Sequence, residues 1–260
     1  MDQYFKIVNN SSNRPLLLIC DHASNYIPPT YQKLGLTADQ LKEHIAWDIG
    51  AAEITLQISK ILNSVAILSG ISRLIVDANR DPSDQKSTPE ISDSITITGN
   101  KDLPKIDREN RLKKYFWPYH NAIKKQIDYF EEKLDPYNNI PIIFSIHTFT
   151  QIMRSVDAKK RPWDVGVLWN RDPRVADILI RELTKHKDNL IVGDNQPYSG
   201  KEFYYTLDYH AGGRGIPHCA IEIRQDLVNT PEGINYWATL ISKILNNIID
   251  NSKIHKIVQF

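Results

Sequence analysis

The chain has 260 residues, 41% hydrophobic and 24% charged, with 32 Lys and Arg against 31 Asp and Glu. One sizeable buried core is therefore expected, and a formal net charge of only +1 gives no global attraction to nucleic acid or to an anionic membrane. Cys20 and Cys219 stand far apart in apolar runs, which excludes a disulfide framework and a Cys-based zinc module and fits a reducing cytoplasm. No apolar run approaches the roughly 18 residues of a membrane span. The opening MDQYFKIVNNSS also lacks the basic-then-apolar order of a signal peptide, so a soluble, cytoplasmic protein without a membrane partner is expected.

Leu16 to Cys20 (LLLIC) is a continuous apolar run ending at Asp21-His22 and reads as a strand buried on both faces. Thr37 to Gln40 has the pattern of a capping box and predicts a helix continuing to about Asn63, with a break near Asp48-Ile49-Gly50. Val65 to Leu68 and Arg73 to Asp77 read as two further strands. Arg80 to Pro104 is a polar stretch with three prolines, a long loop of the kind that carries function. Ile106 to Leu134 has helical periodicity with a bend at Pro118. Ile140 to His147, Asp164 to Trp169, Leu190 to Val192 and Cys219 to Arg224 read as strands, and Pro173 to Lys185 and Pro231 to Asn251 as helices. Strands separated by helices, without repeats or linkers, predict one α/β domain over residues 1–260, a three-layer α/β/α sandwich around a mixed, mostly parallel sheet.

Polar residues collect at the strand ends: Asp21-His22, Arg73 with Asp77 to Arg80, His147, and Glu222 with Arg224. In open α/β sheets ligands bind beyond the carboxyl ends of the strands, where side chains from several strands converge, so these residues are expected to form one site. His22 and His147 each read alone as a turn or strand-end histidine. Together, flanked by Asp and Asn, they read as ligands of one metal, because neutral imidazole is the commonest metal ligand and its other ring nitrogen needs an orienting acceptor.

The period of two places Glu222 and Arg224 on one strand face, as an ion pair or with Glu222 as a general base beside the metal. Arg73, Asp77 and Asn79 share a face if their segment is a strand, with Arg80 at the turn. A surface ion pair and an Asx turn would also account for them. Two guanidinium groups here could hold a substrate carboxylate or steady an oxyanion. Tyr198 and Gly212-Gly213-Arg214-Gly215 fall in loops over the site. His120 reads as a supporting helix residue. Ser24 lacks a GxSxG context, and His44, His186 and His255 call for no special role.

Taken in order, Cys20 to Asn25 with Ile27-Pro28-Pro29, Trp47 to Ala51, Ser72 to Arg80, Pro118-Tyr119-His120, Ser145 to Phe149, Val192 to Asn195 with Pro197-Tyr198, and Ile221 to Leu227 resemble the N-formylglutamate amidohydrolase family. The blocks span roughly residues 15 to 245. The resemblance implies a zinc-carboxypeptidase-like fold, related also to the succinylglutamate desuccinylase and aspartoacylase group. It implies a zinc ion with His22 as first ligand, His147 as last, and Asn25 at the position of an HxxE glutamate. It further implies Arg73 as the arginine that polarises the scissile carbonyl, Asn79 and Arg80 as the carboxylate-binding pair, and Glu222 as general base. Asn25 departs from the expected glutamate, and a neutral amide is a weak zinc ligand, so Asp21 or Asp48 stays open as the completing ligand.

With the substrate class supplied by the resemblance, the expectation is a metal-dependent amidohydrolase of small anionic N-acyl amino acids such as N-formylglutamate. Glu222 and Arg73 are expected as its catalytic residues, and Asn79, Arg80, Arg224, Arg214 and Tyr198 as its substrate-binding residues. The alternatives are a carboxylate-binding protein that has lost catalysis, motivated by Asn25, and an amidase or peptidase of different acyl specificity. The acyl group, the metal and the oligomeric state stay open.

Overall fold

In the computed structural model, which describes residues 4–133, 140–154, 159–186, 188–202 and 204–260, the apolar runs pair into a single sheet. Its strands are β1 (Phe5–Val8), β2 (Leu16–Cys20), β3 (Val65–Ser69), β6 (Ile142–Phe149), β7 (Val165–Leu168), β8 (Val192–Asp194) and β9 (His218–Arg224), in the order β1-β3-β2-β6-β9-β7-β8. The central strands β3, β2, β6 and β9 run parallel, while β1 joins β3 and β7 joins β9 antiparallel. A small hairpin, β4 (Ile91–Ser92) with β5 (Ile95–Thr96), stands apart from the sheet.

Strand alternation sends each run's side chains to two cores. Leu16, Leu18, Cys20, Phe144, Ile146, Cys219 and Ile221 pack against helices α1 (Ala51–Leu62), α4 (Arg174–Thr184) and α6 (Pro231–Ile249). Leu17, Ile19, Val65, Ile67 and Ile143 pack on the opposite face against α3 (Trp117–Lys133) and α5 (Tyr205–His210). Helices on both faces of a mixed, mostly parallel sheet make the expected three-layer α/β/α architecture. A third cluster, which includes Ile27, Leu34, Leu74, Ile75 and Phe116, supports the loops on one side.

Several elements depart from their sequence expectation for identifiable reasons. The capping box forms, with Thr37 N donating to Gln40 Oε1 (2.9 Å) and Gln40 N to Thr37 Oγ1 (3.2 Å), but it opens only the short 3-10 turn Gln40–Lys42. The chain then leaves the helical path so that Asp48 N can donate to His22 O (3.0 Å), and α1 begins after Gly50, whose φ of 84° needs no Cβ. Arg73 to Asp77 is not a strand: Ile75 N donates to Ser72 O, and Asn100 Nδ2 reaches Leu74 O. Its apolar residues reflect burial in the third cluster rather than sheet pairing.

The predicted long helix divides into α2 (Lys105–Arg111), a π turn over Leu112–Phe116, and α3. Pro118, which has no N–H to donate, lies just beyond the π turn. The predicted end of this helix at Leu134 lies outside the described residues. The strand expected at Leu190 to Val192 sits slightly later, as β8.

Candidate active site

The site occupies the α3/α5 face of the sheet, where the apolar row gives way to polar residues toward the carboxyl ends of the parallel strands. In β6, Ile143 is followed on the same face by Ser145 and His147. In β9, Ala220 is followed by Glu222. His147 and Glu222 are register partners, and Gly166 of β7 faces Glu222 from the other side. Asp21-His22 follows β2 directly, and the backbone bond from Asp48 to His22 delivers the Asp48 carboxylate from outside the sheet.

His22, Asp48 and His147 are buried, and each offers a ligand atom within 4.8 Å of the others. Nδ1 of His22 and Nδ1 of His147 both approach Asp48 Oδ2, at 3.3 and 2.8 Å. On their outer sides, His22 Nε2 lies 2.7 Å from Asp77 Oδ1, and His147 Nε2 lies 3.0 Å from Ser145 Oγ and 3.4 Å from Asp21 Oδ2. Acceptors on the Nε2 side favour the tautomer that leaves Nδ1 lone pairs facing a carboxylate. Two imidazole nitrogens and a carboxylate oxygen converging in this way require shared protons or a cation between them.

This donor set suits a borderline divalent ion such as zinc, and the local charge agrees. With neutral imidazoles, Asp21, Asp48 and Asp77 carry three negative charges, against two positive charges on Arg73 and Arg80, which bind Asp77 from outside. Protons can occupy the gap instead. Burial opposes the charged imidazoles, and Arg73 adds to that at His22, yet Asp77 and Asp48 hold His22 above its ordinary range, and Asp21 and Asp48 do the same for His147. Against the same burial, His22 and His147 hold the Asp48 carboxyl well below its ordinary range.

Glu222 contrasts with these carboxylates. Its side chain is buried, Oε2 has no hydrogen-bond partner among the described residues, and burial pushes its pKa up to about 7 despite nearby His147. A base that titrates near neutrality can both take and return a proton. Arg73 donates Nη1 to Asp48 Oδ1 (3.3 Å) and Nη2 to Asp77 Oδ2 (2.8 Å), with its side chain 29% exposed. Arg80 lies 3.6 Å from Asp77 and 3.9 Å from Asp84. Below the cluster, Asp21 accepts from Tyr119 Oη and Thr206 Oγ1, which tie it to α3 and α5.

Other sequence candidates are placed elsewhere. Asn25 turns its amide to donate to Leu41 O (2.8 Å), and the carboxylate between the two histidines is Asp48. Asn79 Oδ1 accepts from Thr206 N and so fixes the start of α5, which occupies its carbonyl oxygen. Arg224 does not pair with Glu222 on its own strand face. It pairs with Asp164 (2.9 Å) and Asp226 (2.7 Å), and Arg214 pairs with Asp128 and Glu131 beside α3.

Tyr198 lies at the site, its phenol pushed up by burial and by Glu222, with its hydroxyl accepting from Arg161 Nη1 (3.0 Å). His120 is structural: Nε2 lies 3.0 Å from Ala78 O and so carries its proton, while Nδ1 faces His210 Nε2 at 2.9 Å. Burial lowers this pair to about 4 and about 3, which keeps both rings neutral. The sequence reading passed over Arg161, and the only available signal was its place shortly before β7.

The sequence model of the N-formylglutamate amidohydrolase family matches residues 14–229. Among solved structures, a gene product of Agrobacterium tumefaciens superposes with a TM-score of 0.88 at 28% identity, covering 95% of each chain. The N-formylglutamate amidohydrolase of Ralstonia eutropha JMP134 superposes with a TM-score of 0.64 at 15% identity, over 97% of this chain and 99% of that one, a likeness of fold. Comparison with curated protein sequences finds no match.

Proposed function

The chain belongs to the N-formylglutamate amidohydrolase family of amide-cleaving hydrolases, and we propose that it hydrolyses N-formylglutamate or a similar small N-acyl amino acid with the help of one divalent metal, zinc by preference. The observation that carries this reading is Glu222, a buried carboxylate whose Oε2 has no partner among the described residues, raised to about 7 and in register beside His147.

His22, Asp48 and His147 would hold the ion, and Asp77 and Ser145 with Asp21 would orient the two imidazoles. When bound, the ion supplies Lewis acidity and lowers the pKa of a nearby water. Glu222 accepts the proton of the attacking water as the water oxygen joins the acyl carbon. Arg73, with its partly exposed side chain, steadies the oxyanion that forms. As the C–N bond breaks, Glu222 returns the proton to the leaving amine. Formate, or another carboxylate, and the free amino acid are the products. Arg80, oriented by Asp77 and Asp84, turns its guanidinium to a substrate carboxylate.

Metal analysis of the purified protein together with a panel of N-acyl amino acids tests this reading. About one metal equivalent and hydrolysis of N-formyl-L-glutamate are expected, with activity lost to a chelator and restored by zinc. Tight binding of the same compound without metal or turnover would instead identify a carboxylate-binding protein.

A further inference from the structure

Four of the arginines near the sheet ends meet the protein's own carboxylates: Arg73 meets Asp48 and Asp77, Arg80 meets Asp77 and Asp84, Arg224 meets Asp164 and Asp226, and Arg214 meets Asp128 and Glu131. Arg161 is different. Among the described residues its guanidinium meets no carboxylate. Nη1 donates to Thr150 O and to Tyr198 Oη, both at 3.0 Å, and Nε and Nη2 donate to no described residue. The guanidinium carbon lies 4.9 Å from the Tyr198 ring centroid and 5.9 Å from that of Phe149, so two aromatic rings fix its orientation.

The surroundings place this cation at the active site. Thr150 directly follows β6, three residues beyond His147, and Arg161 N is anchored to Gln151 O. Tyr198 belongs to the loop after β8, which crosses the sheet where Gly166 faces Glu222. A Cβ on Gly166 would lie 2.0 Å from Gln196 O, so the missing side chain lets the loop pass. Asn195 Oδ1 pins the loop by accepting from Trp169 N and Gly200 N.

A half-buried guanidinium with donors to spare, oriented by rings and standing beside a general base, is matched to a planar anion. We infer that Arg161 and Tyr198 form a carboxylate subsite of the active site, which takes one carboxylate of a dicarboxylic N-acyl amino acid while Arg80 serves the other. This inference rests on the function proposed above. Tyr198 acts as the positioning residue, and Arg161 makes the contact with substrate.

Calorimetric binding of N-formyl-L-glutamate to the Glu222→Gln protein, which leaves the compound uncleaved, provides the test. Adding Arg161→Gln should weaken binding at least about tenfold, with Arg161→Lys and Tyr198→Phe in between and thermal unfolding unchanged within a few degrees. N-formyl-L-glutamine and N-formyl-L-isoglutamine each lack one carboxylate. One of them should bind the Arg161-containing protein as weakly as the diacid binds Arg161→Gln, and should lose nothing further from that substitution. Diacid affinity within about twofold of the parent in Arg161→Gln, or an equal loss for the diacid and both amides, would overturn the subsite. If the parent binds no N-formyl-L-glutamate, the subsite falls together with the proposed function. Binding and hydrolysis that persist without Arg161 remove the subsite alone.

Discussion

At the scale of single residues, the proposed chemistry depends on two kinds of buried carboxylate. Asp48 and Asp77 are held ionised by His22, His147 and Arg73, whereas burial leaves Glu222 titrating near neutrality. In the proposed role of base, Glu222 would be competent only when deprotonated, so kcat/KM for N-formyl-L-glutamate should rise with pH through about 7 and then level. The same group affects stability with a definite sign. Its pKa lies above the ordinary 4.5, so the folded state binds more protons than the unfolded chain between these values, and stability falls as pH rises through that window. Glu222→Gln, uncharged at every pH, should therefore unfold at a higher temperature than the wild type at pH 8 and differ little at pH 4, as read by thermal melts. Asp77→Asn removes the negative charge beside His22 Nε2 and should weaken zinc affinity about 10- to 100-fold, measured by competition with a chromophoric chelator.

His22, His147 and Glu222 were legible as candidate site residues because each ends or interrupts an apolar strand with a polar group. Asp48 could only be held open as a ligand, because a turn before α1 carries it into the site and no periodicity marks a turn. Arg224 illustrates the reverse limit. Strand alternation assigns it the face of Glu222, but its partners, Asp164 and Asp226, come from before β7 and after β9, and strand period says nothing about side chains that arrive from loops.

At the scale of elements, the central strands were readable from their apolar runs, and the missed elements were short or without apolar signal. The edge strand β1 alternates only partly in burial, and α5 is six residues long. Arg73 to Asp77 resembled a strand because its apolar residues are buried, yet the segment's backbone bonds go to Ala46, Ser72, Ser87 and Asn100. The loop after β8 depends on small residues beneath it. Gly166→Ala would set a Cβ against the Gln196 carbonyl and must displace the loop that carries Tyr198. The expected outcome is a melting temperature lowered by several degrees and a raised KM for N-formyl-L-glutamate. An unchanged KM would separate this loop from substrate binding.

At the scale of the whole molecule, the near-neutral charge balance conceals a local arrangement. Asp21, Asp48, Asp77 and Glu222 lie together on one face of the sheet, met by the guanidinium groups of Arg73 and Arg80, and Tyr119 of α3 and Thr206 of α5 tie Asp21 from below. Composition alone allowed any neutral α/β domain, and the ordered sequence blocks narrowed this to one family. The convergence of four segments on a single site requires the folded sheet, because residues 22, 48, 147 and 222 have no fixed spacing that chemistry alone would predict. No helix among the described residues is long and apolar enough to cross a membrane. The most direct measurement is the release of formate from N-formyl-L-glutamate by the zinc-loaded protein. Equimolar formate and glutamate are predicted, with the rate falling about 10²- to 10⁴-fold in Glu222→Gln. Absence of formate from the wild type, or release undiminished in Glu222→Gln, would contradict it.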